Sequence, residues 1–262
     1  MFAPFSLPSN PAQQTVIREA TTAETLDFCD VLVEHEEALT TKFLNTVQDK
    51  ASYTDCAKWT AQDRRLGLFW YWIHTTEDTY VDLDYTCPHC KTVHNHQFDM
   101  RDLANEYQEI QGKAERELAF NDRRLLVAPL KGHHMETLEN MRLGLSMHAK
   151  DSPDYLRLKA EIRLSTLLFQ LSLSDDHEKD ERKRAASLNN WVRELGETKF
   201  HQLQGKVDDL QAEMAHGLPS TIENGKIMLK SPKHVCPTLK EGKEVTTELL
   251  LPFRDYMRIP RI

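Results

Sequence analysis

Apolar and polar positions change period several times along the chain, and each change marks an element. Leu26, Leu32, Leu39, Phe43, Leu44 and Val47 supply an intermittent apolar face at helical spacing. Thr21 precedes them with Glu24 three residues on, the capping-box pattern, so a helix is predicted to begin after Thr21. A second helix is predicted from Thr60, with Asp63 as its acidic third residue, running through Ile73. Its stretch Leu66-Gly67-Leu68-Phe69-Trp70-Tyr71-Trp72-Ile73 is too densely apolar for one exposed face, which makes this helix central to a first core. The aromatic cluster reads as core filling, not as a ligand box.

From Tyr80 to Tyr85 the period drops to two, a strand that runs straight into Cys87-Pro88-His89-Cys90. Val93, Asn95, His96 and Phe98 predict a returning strand, so Tyr80 to Met100 forms a hairpin with cysteines at its tip. Leu125 to Leu130 reads as a short strand closed by a turn at Lys131-Gly132. Ser152-Pro153-Asp154 starts a helix with proline at its first position, continued by Tyr155, Leu158, Ile162, Leu168 and Leu171. Asp175 to Arg184 is a mixed-charge run, read as a solvated connection. The apolar positions from Leu188 to Met214 predict one long helix ended by Gly217, and Lys226 to Phe253 returns to strand character around Cys236-Pro237. Pro4, Pro8 and Pro11 predict an extended arm over the first eleven residues. The predicted class is α+β, mostly helical with small antiparallel β-hairpins, one bearing a zinc-knuckle-like tip. The predicted regions are 1–120 and 121–262.

The two cysteine-proline segments echo each other. Tyr85-Thr86-Cys87-Pro88, Lys91-Thr92-Val93 and Phe98-Asp99-Met100-Arg101-Asp102-Leu103 are matched near the end by His234-Val235-Cys236-Pro237, Lys243-Glu244-Val245 and Pro252-Phe253-Arg254-Asp255-Tyr256. Two related hairpins are expected.

At 262 residues, 40% hydrophobic and 28% charged, the composition is that of a globular protein with a real core. A formal net charge of −8 argues against a partner held through nucleic-acid phosphates. No apolar run reaches the roughly 18 residues of a membrane span, and the first eleven residues do not read as a secretory signal, so a reducing cytoplasm is expected. Five cysteines at irregular spacing do not form a disulfide framework. No glycine-rich phosphate loop or convincing carboxylate pair is present, and His133-His134 lacks an acidic helper. No catalytic residue, cofactor-binding residue or small-molecule substrate is therefore predicted.

Cys87 and Cys90 make a C-x-x-C half-site, suited to two positions of a tetrahedral zinc. His94 and His96, two apart and hence on one face of the following strand, are the first candidates to complete it. His234 and Cys236 are the alternatives. Cys-Pro-His-Cys is also the active-site tetrapeptide of one branch of thioredoxin-like oxidoreductases, but that chemistry needs the first cysteine exposed at a helix N-terminus. The segment after Cys90 alternates like a strand.

The order of these parts resembles the T4-type baseplate hub and hub-assembly family of contractile-tailed phages. The likeness lies in a helix opening with Asp63-Arg64, the Cys87-Pro88-His89-Cys90 hairpin, the Phe98 to Leu103 segment and a closing Cys-Pro hairpin. Family members often carry glycine after the second cysteine, where this chain has Lys91, and a second cysteine in the closing hairpin, where it has Leu239. The resemblance implies a non-enzymatic protein of the tail baseplate, working with other tail proteins in the host cytoplasm and in the virion. A cytoplasmic zinc-knuckle adaptor is the alternative.

Overall fold

The computed structural model describes residues 1–28, 35–174, 181–223, 226–238, 245–257 and 259. Leu32, Leu239, Lys243-Glu244 and most of the charged run before Arg184 lie outside these residues. The class is α+β: helices outweigh strands, and the strands form five small antiparallel sheets among the described residues.

The first eleven residues do not form the extended arm that the prolines predict: the chain turns back at Pro8-Ser9. Strands β1 (Phe5–Leu7) and β2 (Asn10–Thr15) pair with each other. Phe5 and Leu7 alternate inward and are buried, and the Trp70 indole donates to the Ala3 carbonyl at 2.8 Å. The segment carries its own anchors.

A capping box stands at both predicted helix starts, Thr21 and Thr60. Thr21 caps the short helix α1 (Thr22–Leu26), and Glu24 returns the bond. The single helix predicted onward to Val47 is instead two. Leu26 is exposed, and the buried stripe of Leu39, Phe43, Leu44 and Val47 belongs to α2 (Glu36–Val47). Thr60 and Asp63 cap α3 (Ala61–Thr75), whose Leu66, Leu68, Phe69 and Tyr71 are core. Asp63 is fully buried yet well supplied with donors: its carboxylate accepts from the backbone N–H groups of Ser9 and Thr60 and from the Ser9 hydroxyl. The Thr60 hydroxyl also meets His216 Nε2 at 2.8 Å, while His216 Nδ1 donates to the Met214 carbonyl. This network ties the first hairpin, the start of α3 and the residues around 214–216 together.

Strands β3 (Tyr80–Thr86) and β4 (Val93–Asp99) pair over seven residues and lead into a 3-10 turn at Met100–Asn105. Next come β5 (Arg116–Phe120) and β6 (Arg123–Val127). The predicted turn at Lys131-Gly132 is the start of a helix, α4 (Gly132–Leu145). Glycine is needed there, because a Cβ would sit 2.6 Å from Arg64 Nη1 and 2.8 Å from the Cys56 carbonyl oxygen. Helix α5 (Pro153–Leu168) starts as predicted at Ser152 but stops before Leu171, which belongs to β7 (Leu171–Leu173), pairing with β6. The predicted long helix is α6 (Glu181–Glu194) and α7 (Glu197–Glu213), separated at Leu195-Gly196. Gly196 takes an extended backbone as the N-cap of α7.

The last segment holds β8 (Ser220–Glu223), β9 (Lys226–Lys230), β10 (His234–Val235), β11 (Thr246–Thr247), β12 (Leu250–Pro252) and a helical turn, α8 (Phe253–Tyr256). Strands β12, β9 and β8 form one sheet, and β10 pairs with β11.

Two buried clusters organise these elements. One joins Phe5, Leu7, Phe43, Leu66, Phe69, Phe98 and Leu103 to Leu229, Leu251 and Phe253. The other joins Ile110, Leu118 and Phe120 to Leu125, Leu171, Leu188, Leu203 and Val207. Each cluster draws on residues from both sides of position 120, and the chain closes its first core only with its last strands.

Candidate metal centre

The echo in the sequence is an echo in space. Cys87 and Cys236 each follow a strand, and each backbone N–H closes its hairpin, Cys87 to the Thr92 carbonyl at 2.9 Å and Cys236 to the Val245 carbonyl at 3.2 Å. After each hairpin the chain makes a helical turn, at Met100–Asn105 and at α8. The two hairpins meet at their cysteines: Cys87 Sγ lies 3.5 Å from Cys236 Sγ.

Four ligand atoms gather there. Those of Cys87, Cys90, His94 and Cys236 all lie within 4.8 Å of one another, and Cys90 Sγ is 3.0 Å from His94 Nε2. Tetrahedral zinc with Zn–S bonds of about 2.3 Å sets its sulfurs roughly 3.8 Å apart. The 3.5 Å between Cys87 and Cys236 is near that figure, and the donor set, three thiols and one imidazole, is one that zinc takes in structural sites. This Cys/His cluster could hold a metal ion.

The turn that presents it is local. Lys91 N–H donates to the Cys87 carbonyl at 3.0 Å, which brings Cys90 back beside Cys87. Lys91 stands at φ 63°, in the left-handed region that glycine enters most easily.

The electrostatics split the thiols. Cys90 is pulled down to about 5, chiefly by a hydrogen bond from Thr238, then by the Thr92 hydroxyl and amide, with His94 adding to them. Cys87 is drawn down most by the Cys90 amide, yet it stands above its ordinary value because burial and its bonds with the Cys236 and Cys90 thiols outweigh that pull. Cys87 and Cys236 are buried, and Cys90 is half-buried. A bound dication favours the thiolate form of all three.

Of the predicted candidates, the cluster takes one histidine and adds the second hairpin's cysteine. His96 and His234 lie outside it. Their rings stack on each other, with centroids 3.9 Å apart and planes 14° from parallel, and Tyr85 meets His234 edge-on. His96 pairs with Leu83 and His94 with Tyr85, so one pleat repeat along β4 separates the two imidazoles. Burial lowers the pKa of both His96 and His234. Pairing one histidine with the distant Cys236 was not a combination that residue spacing suggested. The signal was the echo, which sets Cys236-Pro237 on Cys87-Pro88.

The other histidine pair is used for packing. His134 stacks on Phe169 at 4.8 Å and its Nδ1 accepts from the Lys131 N–H, while His133 Nδ1 donates to the Ala57 carbonyl. Among the described residues no helix is long and apolar enough to cross a membrane. Comparison with protein-family models, with curated proteins and with solved structures gives no match.

Proposed function

We propose that this chain is a non-enzymatic structural or assembly protein of a phage tail baseplate, with a zinc ion stapling its two cysteine hairpins. The observation that carries the reading is the cluster of Cys87, Cys90, His94 and Cys236, which joins residues 149 positions apart. Strands of two residues, such as β10 and β11, have almost no core of their own. A metal at their tip supplies the folding free energy that burial there does not. The staple therefore serves shape.

The geometry of the cysteines supports a structural role over thiol exchange. Cys87 has no exposed surface, and the chain after Cys90 is strand β4, without the helix N-terminus that activates an attacking thiolate. The baseplate assignment is supported by the order of parts set out above, from the Asp63-Arg64 helix start to the two Cys-Pro hairpins. Its partners would be other tail proteins, first in the host cytoplasm and then in the tail.

Disrupting the gene and viewing the lysate by electron microscopy tests the assignment. The expected result is filled heads without functional tails. Normal infectious tails would overturn it, and the same metal-stapled fold would then be read as an interaction adaptor outside the virion.

A further inference from the structure

A second site lies between α2, α3, α4 and the C-terminal strands, and its floor is a group of guanidiniums. Arg64 is only 2% exposed. Its Nη2 donates to the Glu37 carbonyl and lies 3.4 Å from the Glu37 carboxylate, while its Nε and Nη1 meet no acceptor among the described residues. Arg254 pairs with Glu36 at 3.2 Å and Glu37 at 3.5 Å. The side chain of Arg65, beside them, joins no ion pair or hydrogen bond among the described residues. Burial pushes its pKa down to about 10, with Glu37 opposing and the charges of Arg254 and Arg64 adding to the push, so it is still a cation at neutral pH.

Arg65 and Arg254 line both a small cavity of about 10 Å³ and the open cleft of about 690 Å³ that adjoins it. Arg142 and Lys226 are exposed on the rim of that cleft, and Leu143 and Ile227 give it an apolar wall. The carboxylates in the lining are mostly engaged. Glu36 and Glu37 face Arg254 and Arg64, and Glu139 accepts from the Glu37 and Ala38 N–H groups at the start of α2. With the buried Arg64 counted, five cations (Arg64, Arg65, Arg142, Lys226 and Arg254) face four carboxylates (Glu36, Glu37, Glu139 and Asp255) across the two adjoining spaces, an excess of one positive charge. Arg65 is half-buried and feels the Glu37 charge without a carboxylate bonded to it, and a guanidinium fork matches an oxyanion in shape as well as charge.

We propose that this cleft is a phosphate-binding site, in which Arg65 takes the phosphate oxygens, Arg142 and Lys226 close on them from the rim, and the Leu143–Ile227 wall receives a short hydrocarbon body. The ligand is a small phosphomonoester or free phosphate. The site is independent of the metal centre and of the baseplate assignment.

Isothermal titration of the full-length protein with inorganic phosphate and with butyl phosphate, at constant ionic strength in chloride, separates the two sources. Butyl phosphate should bind with Kd on the order of 1 mM, and inorganic phosphate about tenfold more weakly, the contribution of roughly two buried methylenes. Equal affinities support the free ion as the ligand. Arg65→Gln should abolish binding, with circular dichroism reporting whether that variant folds. Arg142→Gln, on the exposed rim, should weaken binding several-fold in a folded protein. Failure of both ligands to bind the wild-type protein, or binding unchanged in Arg142→Gln and in folded Arg65→Gln, would overturn the proposal.

Discussion

His94 and His96 share a face of β4, yet they stand in different surroundings. His94 is level with the turn and reaches Cys90, whereas His96 is one pleat repeat away and packs against His234 and Phe98. Elemental analysis of the purified protein should therefore give about one zinc per chain, and Cys87→Ser or Cys236→Ser should remove it. His96→Ala and His234→Ala should keep it. Retention of zinc in Cys236→Ser, or its loss in His96→Ala, would mean a different ligand set. The Cys-x-x-Cys half was readable because alternation on either side of it defines a hairpin. The remaining ligands were not, because spacing within one strand fixes which face a residue occupies and not how far it stands from the tip.

Elements with their own end signals were readable, and those defined by tertiary contacts were not. Thr21-Glu24, Thr60-Asp63 and Ser152-Pro153 are local caps, and all three helices start where these residues say. Helix α4 has no such sign. Lys131 offers no capping hydroxyl or carboxylate, Gly132 resembles a turn, and Leu138 is its one large apolar residue with full burial. Its start is held instead by His134, whose Nδ1 accepts the Lys131 N–H. That bond needs a neutral ring. Burial lowers the His134 pKa to about 4, with the nearby His133 and Lys131 charges adding to it. The sign follows: the stabilisation is fully present above the unfolded value near 6.5 and is lost as pH falls through about 4. Proton NMR should place the His134 midpoint near 4, and amide exchange at the first turn of α4 should accelerate below it. A midpoint near 6.5 would show that the ring is not held in its neutral form.

At the scale of the whole molecule, the first core is assembled from both ends of the chain. The prolines predict an extended arm where the chain makes a hairpin, because proline content says nothing of the alternation of Phe5 and Leu7, which places both side chains in that core. Removing residues 1–11 therefore deletes two buried anchors and the Ser9 donors to Asp63. Burial of two such side chains is worth about 3–6 kcal/mol, a large share of the stability of a domain this size. Urea denaturation of the truncated protein should show a loss of that order or an insoluble product, whereas an unchanged midpoint would mean that the segment contributes no packing.

The distance along the chain between Cys87 and Cys236, 149 positions, also sets when the candidate metal site is complete during synthesis. At about 5–20 residues per second, the ribosome emits the Cys87–Cys90 half-site roughly 7–30 s before the last ligand appears. Through that interval the nascent chain presents three of the four candidate ligands. A prematurely terminated product that ends before position 236 stays in that state for good. Were the cluster to hold zinc, metal affinity would distinguish finished chains from unfinished ones, because Cys236 arrives only after strands β8 and β9.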